Sequence, residues 1–286
     1  MSSLLDAFGA EAPPKVTQVT GSPNAKVLAG IDQLLLVVPK RVPAALWNKI
    51  PQGARVKGLM RRAAAGSVPT VATRIANKRQ TALYLGQVDA SCEAFELLTT
   101  ARKMVAATGG EKAGVVGIWV LGFGDDEGRI ARALVSATLA AAFRMPAYKE
   151  KPAPGRIRSI RLLGLDDRMD VSREIAEAEG NNLARFLTAQ PANKLDATAF
   201  VDLLRKMAAA EGWQFKKYSV SELTKLGAGA FLAVAQGNAD DSAAIVRLRY
   251  RPAAKSAAPQ LSLVGKGIIF DTGGTNLKPL DRKSVV

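Results

Sequence analysis

The sequence predicts an α/β fold: an N-terminal α/β domain with helices on both faces of a mixed sheet, a connector helix, and then a second α/β unit. Short apolar runs of strand length alternate with longer segments in which apolar residues recur every three or four positions. Strands that alternate with helices are typical of a mostly parallel sheet covered by helices.

The first domain is predicted over residues 1–170. Its strands are predicted at residues 32–38, 81–88, 115–121 and 157–163, and the run VVGIWVL of the third is typical of a buried parallel strand. One helix is predicted at 91–107, capped by Ser91 and ended by two glycines, and another at 129–143. On the first of these helices we expect one buried face, formed by Phe95, Leu98, Met104 and Val105. Residues 1–27, which contain two proline-rich stretches, are predicted to be a loose lead-in.

The second domain is predicted over residues 171–286, after a turn-rich break within 150–172. Ser172 is expected to cap a long connector helix, and a second helix is predicted at 196–211 with Gly212 just past its end. The following strands are predicted at 214–220, 243–250 and 260–264.

Composition excludes several classes of active site. The 286 residues contain no histidine and one cysteine, so a Ser–His–Asp triad, a His-ligated zinc site, an intramolecular disulfide and a CxxC pair are all excluded. Because histidine is absent and cysteine nearly so, acid–base chemistry must use Asp, Glu, Lys or Tyr. Lysine and arginine number 40 against 25 acidic residues, for a net charge of +15.

The N-terminus lacks the basic start and apolar core of a signal peptide, and no stretch approaches the roughly 20 apolar residues that span a bilayer. We therefore expect a cytoplasmic protein without a membrane partner.

The most informative stretch is Leu261–Pro279, LSLVGKGIIFDTGGTNLKP. Lys266 lies between two glycines at the end of an apolar run, where an unpaired ammonium group is costly. It therefore needs an acidic partner, or it is neutral and donates its lone pair, which would suit a phosphate site or a metal site. A glycine-rich turn with solvated lysines is an equal alternative on spacing alone.

The segment VGKGIIFDTGGTNLKP resembles the signature of the leucyl aminopeptidase (cytosol aminopeptidase) family of dinuclear metallopeptidases. Three other segments are similar to the family in the same order: LARFLTAQPANKL at 183–195, LGAGAFLAVAQG at 226–237 and AAIVRLRYR at 243–251. The resemblance implies that residues 171–286 are the first part of an α/β metallopeptidase catalytic domain.

The resemblance also implies roles for three residues. Lys266 would bind one metal ion, Asp271 would bridge two, and Lys278 would be the catalytic lysine that polarises the scissile carbonyl. The implied cofactors are two divalent ions, zinc or manganese, which together activate a bridging water. The implied substrates are peptides, hydrolysed at their N-terminal residue, and the implied assembly of the full-length protein is a homohexamer.

The sequence departs from the family pattern after Pro279. The family continues with a further metal-binding Asp and a motif near NTDAEGR, which supplies an Asp, a Glu and an Arg; neither follows here. Of five expected metal ligands, only Lys266 and Asp271 have counterparts. The resemblance therefore implies a catalytic domain truncated in this sequence, and we expect the isolated chain to be inactive.

A different function class is suggested by residues 33–88, which contain ten basic residues and no acidic one. Such a segment can contact phosphate backbones, so the alternative is a non-catalytic nucleic-acid-binding module with weak, non-specific DNA binding. The segment has few aromatic residues for base stacking, and a solvated basic face is the favoured interpretation. The candidate contacts are Arg55, Lys57, Arg61, Arg62, Lys78 and Arg79.

A glycine-rich loop at 122–128 follows a predicted strand and precedes a helix, as in dinucleotide-binding sites. Its third glycine is one position late, and its three acidic residues would repel a pyrophosphate. A plain strand–helix turn is therefore the expectation.

Overall fold

The computed structural model describes residues 12–63, 70–109, 114–146, 157–238, 240–252 and 260–269. The chain forms two compact units, one ending at Arg185 and the other beginning at Phe186. Within the described ranges, no helix is both long enough and apolar enough to cross a bilayer.

The first unit is built on a six-stranded sheet of order β1-β6-β5-β2-β4-β3. All neighbouring strands are parallel except β3, which pairs antiparallel with β4 at one edge. The sheet is therefore mixed and mostly parallel, as predicted. The strands are β1 (Lys15–Thr20), β2 (Gln33–Pro39), β3 (Thr70–Arg74), β4 (Ala82–Val88), β5 (Val115–Val120) and β6 (Ser159–Leu165).

Helices cover both faces of this sheet, which confirms the predicted architecture. Alternate residues of β2 enter two different cores: Leu35 and Val37 pack on one face, and Leu34 and Leu36 on the other. Burial on both faces explains why the central strands are continuous apolar runs. The helices of this unit are α1 (Ala25–Leu28), α2 (Ala44–Trp47), α3 (Gly53–Ala63), α4 (Ala94–Ala107), α5 (Glu127–Ala142) and α6 (Ser172–Thr188).

The lead-in predicted over residues 1–27 is wrong where the structure describes it, because β1 and α1 lie there. Strand β1 pairs parallel with β6 at the edge of the sheet, and its residues are at most half-buried. The sequence KVTQVT does carry β-branched residues, but an edge strand needs little apolar sequence, so its signal is weak.

The predicted buried face of α4 is also wrong in part. Phe95 is 82% exposed and Leu98 46% exposed, whereas Met104 and Val105 are buried as expected. Residues nine apart on an α-helix point about 180° away from each other, so Phe95 and Met104 cannot share a face. The observed face adds Leu97 and Ala101 to Met104 and Val105.

The start of α4 differs from the prediction as well. Ser91 does not cap the helix; its backbone N–H and its hydroxyl both donate to the Asp89 carboxylate. The helix begins at Ala94, after Glu93, whose side chain makes no capping hydrogen bond.

The second unit contains a two-stranded antiparallel sheet, in which Gln214 lies opposite Arg249 and Ser219 opposite Ala244. Two of its helices have side-chain caps: Asp196 caps the first, and Ser219 and Glu222 form a capping box on the second. The predictions for 196–211, 214–220 and 243–250 are confirmed to within one residue at each end. The elements are α7 (Ala197–Ala210), β7 (Gln214–Ser219), α8 (Val220–Lys225), α9 (Gly229–Ala235) and β8 (Ala244–Arg249).

The strand predicted at 260–264 is not formed. Residues 260–264 have no strand pairing, and the side chains of Leu261, Leu263 and Val264 are 82%, 86% and 100% exposed. A strand needs a neighbouring backbone to pair with and a surface on which to bury its side chains. Among the described residues, neither is provided for this segment.

Candidate functional site

The three residues expected to carry the chemistry lie within thirteen positions of one another in the sequence, and the structure describes one of them. Lys266 falls within the described segment 260–269. Asp271 and Lys278 both lie outside the described residues.

Lys266 is exposed, as are all described residues from 260 to 269. Its neighbour Gly267 lies beside Phe200: a methyl group added at Gly267 would be 3.8 Å from Phe200 Cε1. Phe200 stands near the start of α7, where Asp196 Oδ1 accepts a hydrogen bond of 2.7 Å from the Ala199 N–H. The first turn of α7, which follows the Asp196 cap, thus lies next to Gly267.

Phe200 lies within the helix that was predicted at 196–211. The start of this helix could be predicted from the sequence, because Asp196 stands three residues before Ala199 and Asp is a typical N-cap residue. The proximity of Phe200 to Gly267 could not be predicted, because the two residues are 67 positions apart in the chain.

The described residues do not by themselves fit a dinuclear metal site. They contain no group of three or more His, Cys, Asp or Glu side chains placed to hold an ion. Lys266 is in contact with solvent, so the burial that would favour a neutral, metal-binding amine is not provided by this part of the chain. The carboxylate expected to bridge the ions, Asp271, belongs to the part outside the described ranges.

The candidate nucleic-acid contacts fall on two places in the first unit. Helix α3 carries four of them, Arg55, Lys57, Arg61 and Arg62, and the turn between β3 and β4 carries Lys78 and Arg79. All except Lys57, which is half-buried, are exposed.

The basic segment is less free of acidic partners than its sequence indicates. Arg79 Nη1 donates to Asp32 Oδ1 at 2.5 Å, and Lys40 Nζ lies 3.2 Å from Asp89 Oδ2. Both acidic residues flank the 33–88 segment in sequence, and the fold brings them back onto it. The ten basic residues of this segment are therefore not all without acidic partners, because Arg79 and Lys40 each form an ion pair.

Asp32 is held as a carboxylate by several donors. Burial alone would raise its pKa, but the Val115 N–H (2.8 Å), the Arg79 guanidinium and the Gly114 N–H (2.9 Å) together lower it below 3.8. Val115 is the first residue of β5, Gly114 precedes it, and Arg79 lies in the turn before β4. Asp32, which precedes β2, therefore links the starts of three neighbouring strands through these bonds. Its arrangement is that of a structural anchor.

The loop at 122–128 uses its own donors internally. The Gly122 and Phe123 N–H groups donate to Glu127 Oε1 at 2.9 and 3.3 Å. A phosphate at this turn would need those same backbone donors and would meet the Glu127 carboxylate. This arrangement favours the plain strand–helix turn that was expected.

The comparisons with known proteins agree with one another, because each finds similarity to aminopeptidases. Residues 182–284 match the model of the cytosol aminopeptidase family, catalytic domain. A probable cytosol aminopeptidase from Solibacter usitatus is 45% identical over 111 residues, which is 39% of this chain and 23% of that relative. The chain therefore matches less than a third of that relative's length.

Solved structures resemble the chain over a much larger part of it. A tomato leucine aminopeptidase mutant superposes with a TM-score of 0.72 at 18% identity, over 92% of this chain and 56% of that one, which shows the fold. The bottromycin maturation enzyme BotP, solved in complex with Mn, superposes with a TM-score of 0.62 at 26% identity, over 87% of this chain and 51% of that one.

Proposed function

We propose that this chain acts as part of a metal-dependent aminopeptidase that removes N-terminal residues from peptides, because residues 182–284 match the catalytic-domain model of the cytosol aminopeptidase family. The observation that carries the proposal is the match to the family's catalytic domain, because the matched residues include the whole of the Gly265–Pro279 signature. The matched relatives are longer than this chain, so the activity belongs to the complete catalytic domain.

The proposed cofactors are two divalent metal ions, zinc or manganese, and BotP in complex with Mn supports the second choice. Such ions lower the pKa of a bound water and polarise a carbonyl. The neutral amine of Lys266 would offer a lone pair to one ion, and the Asp271 carboxylate has oxygens for both. Lys278, as an ammonium group, would donate a hydrogen bond to the substrate carbonyl oxygen.

Other properties are proposed with the family. The names of the relatives support a cytosolic protein, and the resemblance implies a homohexamer for the full-length protein. We place the boundary between the N-terminal domain and the catalytic domain at residues 170/171, at the start of α6 and shortly before the family match begins at residue 182.

The nucleic-acid-binding alternative has no support in the comparisons, whose named proteins are peptidases. At least two of its ten cations, Lys40 and Arg79, are paired with acidic residues. Weak, salt-sensitive binding to duplex DNA by the remaining cations stays a prediction and not a proposed function.

The proposal is tested on a chimera that appends, after residue 284, the remaining C-terminal segment of the Solibacter usitatus relative. Lys266→Arg is expected to lose one metal ion per chain, because arginine stays protonated and has no lone pair to give. Asp271→Asn should lower the occupancy of both ions. Lys278→Arg should keep the metal content and lower kcat.

Metal content per chain, measured by elemental analysis beside kcat, distinguishes these roles. The matched control is Lys225→Arg, an exposed lysine at the end of α8, which should change neither quantity. Retention of both ions in Lys266→Arg with loss of one in Lys278→Arg would reverse the two lysine assignments. No change in any of the three variants would contradict the signature itself.

A further inference from the structure

Helix α6 buries two polar side chains in the first unit. Its buried residues are Glu174, Ala178 and Asn182, which follow one another at every fourth position and therefore lie on one face. The Glu174 carboxylate is satisfied, because both of its oxygens accept hydrogen bonds from Arg132 Nη1. Asn182 is 2% exposed, and within the described ranges its Oδ1 atom is buried without a hydrogen-bond partner. A buried acceptor destabilises a fold unless a donor reaches it.

A small cavity adjoins Asn182. Its volume is about 10 Å³, which is close to the space that a single water molecule needs. Besides Asn182, its walls are residues 12–14 ahead of β1, residues 142–144 at the end of α5, and Ile157 ahead of β6. All of these residues belong to the first unit. The acceptor that needs a donor and the space for one small molecule therefore coincide.

The groups around the cavity favour a neutral occupant. Arg144 and Phe143 line it, and the Arg185 Cζ atom lies 4.3 Å from the centre of the Phe143 ring. Two guanidinium groups in this neighbourhood oppose the binding of a cation. An anion would meet the Asn182 side-chain oxygen, which can only accept hydrogen bonds. A molecule of this size that is neutral and carries a donor is water.

We propose that a water molecule is bound in this cavity as part of the folded protein and donates a hydrogen bond to Asn182 Oδ1. Buried waters make about three hydrogen bonds to polar groups of the protein. The walls supply both kinds of further partner: the Arg144 guanidinium only donates, and the main chain of Pro13 and Pro14 only accepts. The water would thus connect α6 with the end of α5 and with the residues ahead of β1. This inference does not depend on the proposed function.

Filling the cavity distinguishes a bound water from an empty space. Ala142→Val adds apolar volume to the cavity wall. If a water is bound, valine displaces it and leaves Asn182 Oδ1 without a donor, so the ratio of folded to open protein should fall at least about fivefold. If the space is empty, the added methyl groups fill it and the ratio should rise.

Native-state hydrogen exchange of amides in α5 and α6 measures this ratio. The matched control is Ala141→Val, which makes the same change at an exposed neighbour on the same helix. It should change the ratio by less than about twofold.

The water can also be observed directly. We expect a crystal structure of the 286-residue chain to show a water oxygen about 2.8 Å from Asn182 Oδ1. In solution, NMR should detect cross-relaxation between a slowly exchanging water and the methyl groups of Ala142 and Ile157. Asn182→Leu removes the acceptor and should abolish both signals. Asn181→Leu is the matched control, because Asn181 is the exposed neighbour of Asn182, and it should preserve them.

Four results would overturn the proposal: a ratio in Ala142→Val that is no lower than in Ala141→Val, a crystal structure without water in the cavity, a protein donor bonded to Asn182 Oδ1 in that structure, or water signals that persist in Asn182→Leu. The direct observations use the unmodified chain, so they decide the question even if a variant fails to fold. None of these measurements uses metal or turnover, so the water site and the proposed function can fail separately.

Discussion

The ion pair between Arg132 and Glu174 should hold α6 against α5. Glu174 is only 8% exposed, and its two oxygens accept hydrogen bonds from Arg132 Nη1 at 2.9 and 3.0 Å. Arg132→Met would leave this carboxylate buried without its partner. Breaking a fully buried pair costs about 3–5 kcal/mol. Because the Arg132 side chain is 40% exposed, solvent screening reduces the expected cost to about 2–3 kcal/mol.

The double variant Arg132→Met/Glu174→Leu should recover at least half of that loss, since no unpaired carboxylate remains and the replacements are apolar. The matched control is Arg173→Met, which breaks an exposed pair on the same helix and should cost at most about 0.5 kcal/mol. Native-state hydrogen exchange of amides in α5 and α6 measures the free energy of opening. If Arg132→Met costs no more than Arg173→Met, or if the double variant is less stable than Arg132→Met alone, the reasoning is refuted.

Two further predictions concern the first unit. Gly164 has φ +79°, and a methyl group there would overlap the buried Trp119 indole, 2.6 Å from Cδ1, so Gly164→Ala should lose about 2–5 kcal/mol by strain and overpacking. Urea denaturation measures this, and a loss under about 1 kcal/mol would contradict it. The pKa of Asp32 is lowered in the fold, so this carboxylate stabilises the fold fully above its unfolded pKa of about 3.9, and that stability is lost as pH falls below this value and through the lower pKa of the folded state. Asp32→Asn should therefore flatten the acid limb of the stability–pH curve, and an unchanged limb would argue against it.

The centre of the first sheet could be predicted from sequence because its strands are buried on both faces. Strands β2 and β5 are mostly buried apolar runs of seven and six residues, which is a typical strand length and short for a helix. The edge strands β1 and β3 were missed because pairing on one side and partial burial require little apolar sequence. Their position depends on the neighbouring strands, which local sequence does not encode.

Contacts between distant residues were the least predictable part. Arg79 and Asp32 are 47 residues apart, and their ion pair exists because β2 and β4 are neighbours in the sheet. Counting charges along the sequence therefore overstated the free positive charge of the basic segment.

For the candidate site, the sequence was more informative about the family than about the surroundings of its residues. Its residue types and order are specific enough to indicate the family from a stretch of fewer than twenty residues. The surroundings of Lys266 were not predictable in the same way, because burial of an amine depends on what packs over the loop. In the described residues Lys266 is exposed, and Phe200 lies beside the neighbouring Gly267.

The most direct test of the account is hydrolysis of leucine p-nitroanilide by the chimera and by the 286-residue chain, each with excess manganese. The account predicts turnover by the chimera that is lost on treatment with a chelator and restored by adding manganese. The resemblance implies five metal ligands, of which only Lys266 and Asp271 have counterparts among the 286 residues, so this chain is expected to give no measurable turnover. Turnover by the chimera that survives the chelator, or no turnover at any zinc or manganese concentration, would contradict the assignment of a metal-dependent aminopeptidase.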